Sequence, residues 1–77
     1  MTKLEEAIQE ILWDWVDDEG NYIWYSCKAL HYQINTYYKI ICKLSEVKRT
    51  IKHLYANGYL SYNGNGYKLA KKGENYT

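Results

Sequence analysis

The sequence predicts a small α+β domain with three helices, room for a fourth, and a C-terminal β-hairpin. Two apolar stripes repeat at helical spacing, one near each end of the chain. Between two short alternating runs stands Asn63-Gly64-Asn65-Gly66, which accepts the positive φ values that hairpin turns need. The 77 residues contain no Pro, and their five Gly lie at 20, 58, 64, 66 and 73, as in ordered elements separated by turns. Residues 1–77 therefore form one domain, with 74–77 expected to fray.

The first helix is predicted over 3–16. Leu4, Ile8, Ile11, Leu12 and Trp15 fall on one stripe, flanked by Ala7 and Val16. Thr2 is a ready cap, and Glu5 and Glu6 suit the positive end of the helix dipole. Asp17-Asp18-Glu19-Gly20-Asn21 reads as a turn. The aromatic, β-branched run 22–26 favours a short strand, after which Ser26 can cap a helix over 27–34. Asn35-Thr36 reads as a break, and Thr36 could cap a further helix over 37–43; the second helix is 27–34, 37–43 or both. Ser45 is expected to cap the next helix, running to Asn57. Val47, Ile51 and Leu54 face inward there, Leu44 acts as a staple, and Gly58 terminates it. In the hairpin that follows, Leu60 and Leu69 share the inner face and Lys68 points outward.

A net charge of +1 conceals a division. Residues 1–20 hold one Lys against seven carboxylates, a net of −6. Residues 21–77 hold nine bases against two acids, a net of +7. Such a chain has one anion-seeking side. No run of about 18 apolar residues is present, so no membrane span is expected. Glu5 and Glu6 stand where a secretory signal would be basic, and an intracellular location is expected. Ten Tyr and three Trp, with no Phe, supply large apolar area with polar tips.

The order of elements resembles the winged helix-turn-helix family of DNA-binding domains. The local match is Leu54-Tyr55-Ala56-Asn57-Gly58-Tyr59-Leu60, similar to that family's passage from recognition helix into wing. Tyr67-Lys68-Leu69-Ala70-Lys71-Lys72-Gly73 likewise resembles its returning strand, with Ala70 where Thr is usual. Size and tyrosine content resemble the small regulators of archaeal viruses and other mobile elements. The resemblance implies a double-stranded DNA partner and a role in transcription regulation. On the recognition helix it implicates Ser45, Lys48, Arg49, Lys52 and His53; on the wing, Asn63, Asn65, Lys68 and Lys71. Arg49 is the first choice for base reading, because its planar fork can pair bidentately with guanine. Lys52 and His53 would meet the backbone, and Lys28, Lys39 and Lys43 could add phosphate contacts. Glu46 would cap the helix or accept from a cytosine amino group. The connection before Ser45 is longer than the family's usual turn.

A homodimer through the first helix and the segment Tyr22 to Tyr25 would pair two recognition helices on one site. The competing expectation is a winged helix that binds protein and not DNA, since exposed Tyr and Trp also suit such interfaces. Cys27 and Cys42 are expected as free buried thiols; a disulfide is the second reading. A metal site with His31 and His53 fits no standard spacing. No nucleophile and base set, carboxylate pair or phosphate-binding loop is recognisable, so no enzyme activity, cofactor or small-molecule ligand is expected.

Overall fold

The computed structural model describes residues 2–70, so the expectations for Lys71 and for 74–77 lie outside the described residues. Three helices, α1 (Lys3–Asp14), α2 (Cys27–Tyr37) and α3 (Leu44–Ala56), precede two strands, β1 (Leu60–Tyr62) and β2 (Tyr67–Leu69). The strands pair antiparallel in the register Leu60 with Leu69, Ser61 with Lys68 and Tyr62 with Tyr67. This α+β arrangement is consistent with a winged-helix-like fold.

Each helix begins where side chains satisfy its first amides. At α1, Thr2 Oγ1 accepts from the Glu5 N–H at 3.2 Å, and the Thr2 N–H donates to Glu5 Oε1 at 2.9 Å, a complete capping box. At α2, Ser26 Oγ accepts from the Ala29 N–H at 3.1 Å, as its position before the helix predicts. At α3 the cap is not Ser45. Lys43 occupies that position and Ser45 lies inside the first turn. Lysine cannot accept a hydrogen bond, so only the return limb forms: the Lys43 N–H donates to Glu46 Oε1 at 3.1 Å. Of the two roles expected for Glu46, capping is the one the structure contains.

Among the described residues the buried side chains are ten, all of them apolar: Ala7, Ile8, Ile11 and Leu12 of α1, Leu30 and Ile34 of α2, Val47, Ile51 and Leu54 of α3, and Leu60 of β1. Burying each large aliphatic contributes on the order of 1.5–3 kcal/mol, so this cluster is the main source of stability. Gly58, at φ 83°, closes α3 with a Schellman turn. Its N–H donates to the Tyr55 carbonyl at 3.0 Å and the Tyr59 N–H to the Leu54 carbonyl at 3.0 Å, which directs Leu60 into the core.

Four further expectations need correction. First, α1 stops at Asp14, and Trp15 adopts an extended conformation at its C-terminus. That rotates Trp15 off the stripe and leaves it 48% exposed, with Val16 also exposed. Second, α2 runs through Asn35-Thr36 to Tyr37. The Asn35 side chain does not break the helix; it turns outward to the following loop, where Oδ1 accepts from the Cys42 N–H at 3.3 Å. Third, 38–43 is a connection and not a helix, with Lys39 in the left-handed region at φ 54°. His31 Nε2 lies 2.7 Å from the Cys42 carbonyl, a second tie between this connection and α2. Fourth, 22–26 is not a continuous strand. Tyr22 bridges Val16 and Tyr25 bridges Tyr67, each singly. Tyr25 and Tyr67 exchange two backbone hydrogen bonds of 2.7 Å. A Cβ on Gly66 would lie 3.0 Å from the Tyr25 carbonyl oxygen, so the absence of a side chain there permits the approach. Ser26 then turns the chain into α2 and ends the pairing.

Candidate nucleic-acid interface

The helical repeat sorts the polar side of α3 into a crest and two flanks. Val47, Ile51 and Leu54 are buried; Ser45, Arg49 and Lys52 lie across from them, exposed, along the crest. Lys48, Lys52 and Tyr55 follow at i, i+4 and i+7 and form one flank. Glu46, Thr50 and His53, at the same spacing, form the other.

The two flanks meet different neighbours. His53 Nε2 stands 3.7 Å from Glu5 Oε2 of α1. The expected phosphate contact of His53 is therefore shared with a carboxylate, and α1 bounds the positive surface on that side. The Glu5 carboxyl is held below its ordinary range chiefly by the Thr2 backbone amide, with smaller help from the Thr2 hydroxyl and His53. Further along α1, Glu10 and Asp14 face Tyr38; burial and then these carboxylates push the Tyr38 hydroxyl up.

The Lys48 flank turns toward the start of α2. Burial pushes the Cys27 thiol up, and the nearby Lys48 and Lys52 charges oppose that rise. Burial also raises Tyr67, with Cys27, Tyr62 and Tyr55 as its electrostatic neighbours. The α2 N-terminus, two lysines of α3 and a group of tyrosines thus lie near one another. Both Cys27 and Cys42 are free thiols, half-buried. Cys42 is raised by burial and then by Glu46.

The tyrosines form a defined cluster that the sequence reading did not single out. Tyr62 and Tyr67 stack with centroids 4.5 Å apart and planes 23° from parallel. Tyr55 meets both edge-on at 6.1 Å. The signal was present: residues flanking the four-residue turn at 63–66 must be cross-strand partners, and Tyr62 and Tyr67 hold those places.

At the hairpin, Asn63 and Asn65 are exposed, as a contact role requires. Asn63 Oδ1 accepts from the Asn65 and Gly66 N–H groups, both at 2.8 Å, so its side chain also shapes the tip. Lys68 is separated from the lysines of α3. Strand alternation places it with Ser61 on the face opposite Tyr62 and Tyr67, and its Nζ lies 4.5 Å from the centre of the Trp24 ring. The structure therefore joins Ser45, Lys48, Arg49 and Lys52, moves His53 to the α1 border, and sets Lys68 on another side of the hairpin. Among the described residues no group of three or more His, Cys, Asp or Glu could hold a metal ion, and no helix is long and apolar enough to cross a membrane.

No protein-family model, curated protein or solved structure matches the chain.

Proposed function

We propose that this chain binds double-stranded DNA through α3, as a small transcription regulator of the winged-helix kind. The observation that carries the reading is the exposed side of α3, its crest together with the Lys48 flank. Lys48, Arg49 and Lys52 are exposed on one side of a helix whose other side is core. Within the helix the one carboxylate, Glu46, is turned to the Lys43 amide at its N-terminus. Phosphate binding needs several cations on one continuous surface, and guanine reading needs an exposed planar fork. Lys28 at the start of α2 and Lys43 before α3 extend the same charge; both are exposed. The sequence-level likeness to winged helix-turn-helix domains points the same way, as does the helix and hairpin order.

The homodimer expected through the first helix finds poor charge support. Trp13, Trp15 and Val16 are exposed, but Asp14, Asp17, Asp18 and Glu19 share that segment. A twofold contact would set like carboxylates against each other. The competing reading, a protein-binding module, rests on these same exposed tryptophans.

Fluorescence anisotropy with a random 20-base-pair duplex, titrated across a salt series, tests the proposal. Binding is expected to weaken linearly in log affinity against log salt. Lys48→Ala and Arg49→Ala should each reduce the slope by about 1 if the side chain meets a phosphate. An affinity for duplex that is unmeasurable at low salt, or unchanged by both substitutions, overturns it.

A further inference from the structure

The tyrosine cluster has the geometry of a platform, and its exposure is uneven. Tyr67 is half-buried at its base, with its backbone fixed by the pair it forms with Tyr25. Tyr62 stacks on Tyr67 and is 46% exposed; Tyr55, edge-on to both, is 48% exposed. One face of the Tyr62 ring is covered by Tyr67, so its exposure lies toward the other face and the rim. The Tyr62 hydroxyl donates to the Gly64 carbonyl at 2.8 Å, which pins the ring against the hairpin turn. A fixed ring with an open face beside lysines suits a flat, apolar group joined to an anion. Lys52 precedes Tyr55 by one helical turn and Lys48 precedes Lys52 by another.

We propose that Tyr62, backed by Tyr67 and Tyr55, stacks an unpaired base whose flanking phosphates meet Lys52 and Lys48. A base inside a duplex has both faces covered by its neighbours and cannot use such a platform. A nucleotide at a single-stranded end can. The preferred nucleic acid is then a duplex with a short single-stranded tail, with α3 on the paired part and the tail crossing the hairpin. This deepens the duplex-binding reading and rests on it. An acidic peptide would answer the lysines equally, but it offers no flat ring for each charge.

The test compares two probes at one salt concentration: a blunt 20-base-pair duplex, and the same duplex with a five-nucleotide tail containing 2-aminopurine. The tailed probe is expected to bind about tenfold more tightly, since stacking on an aromatic side chain gives a gain of that order per base. Quenching of the 2-aminopurine fluorescence should accompany it. Tyr62→Leu should abolish the preference and the quench while leaving blunt-duplex affinity unchanged. Tyr62→Phe, which keeps the ring and loses the bond to Gly64, should retain most of both, and circular dichroism confirms that each variant folds. Equal affinity for the two probes with no quench overturns the stacking site and leaves the duplex reading intact. Equal loss of tailed and blunt binding in Tyr62→Leu, with its fold intact, also overturns the stacking site. Failure to bind either probe overturns both readings.

Discussion

The molecule carries two exposed aromatic regions of opposite electrical character. Around the end of α1, Trp13 and Tyr22 lie 6.2 Å apart, Trp15 and Val16 are exposed, and the neighbouring side chains are Asp14, Asp17, Asp18 and Glu19. Along α3 and the hairpin, Tyr55, Tyr62 and Tyr67 meet one another, and Tyr55 shares its flank of α3 with Lys48 and Lys52. Both regions expose aromatic rings. Aromatic exposure alone does not select a partner; the charge around the rings does. An anionic polymer is repelled by the first region and attracted by the second, so one small domain can present a single binding side without a large net charge.

Reversing the charge beside the tyrosines breaks the contrast most directly. Lys48→Glu with Lys52→Glu should lower duplex affinity at least about 100-fold, equivalent to about 2.7 kcal/mol, in anisotropy titrations at low salt. The hairpin side also depends on the close approach of Gly66 to Tyr25. Gly66→Ala puts a Cβ 3.0 Å from the Tyr25 carbonyl oxygen, and should cost about 1–2 kcal/mol, or roughly 5–10 °C in Tm by calorimetry. Trp24→Ala removes the ring under Lys68. It should cost about 0.5–1 kcal/mol in urea unfolding and leave duplex affinity unchanged if Lys68 stands apart from the α3 surface. Lys39 sits at φ 54° without being glycine, so Lys39→Gly should stabilise by about 0.5 kcal/mol, as strain relief slightly outweighs the added chain entropy.

The carboxylates of α1 and of the turn after it should also show themselves on the acid side of the stability curve. Backbone amides hold Asp17 below its ordinary range, that of Asn21 foremost; Thr2 does the same for Glu5. A carboxyl depressed in the folded state contributes stability above its unfolded pKa and loses it as pH falls through the folded value. Asp17→Asn and Glu5→Gln should each flatten the decline of Tm with acidification below the ordinary carboxylate range. A curve of unchanged steepness in both would mean these hydrogen bonds do not persist in solution.

The parts of the fold legible in the sequence are those set by local chemistry. Thr2 and Ser26 cap helices, Gly58 closes one, and Asn63 to Gly66 turns a hairpin because the needed hydrogen bonds lie within a few residues. What escaped reading depends on distant partners. Asn35 looks like a break until its side chain is seen holding Cys42. Trp15 fits the α1 stripe by spacing, but spacing does not say where a helix stops. Ser45 is a better cap than Lys43 by composition; the chain gives the place to Lys43 because Glu46 can reach its amide. For the candidate site, the crest of α3 follows from periodicity alone. Alternation along the strand also turns Lys68 outward, but the Trp24 ring that it meets there is not legible, because that rests on how a distant segment packs. Stacking of Tyr62 on Tyr67 was implied by the turn length, whereas Tyr55 joins them only through the packing of α3 on the hairpin.

The reciprocal backbone pair of Tyr25 and Tyr67 gives the two regions a common readout. Each amide donates to the other residue's carbonyl, so separation of the two segments exposes both protons at once. A ligand held on the tyrosine side that stabilises the closed form of Tyr67 is expected to slow deuterium uptake at Tyr25 as well. The segment joining the acidic turn to α2 would thereby register occupancy of a surface it does not touch.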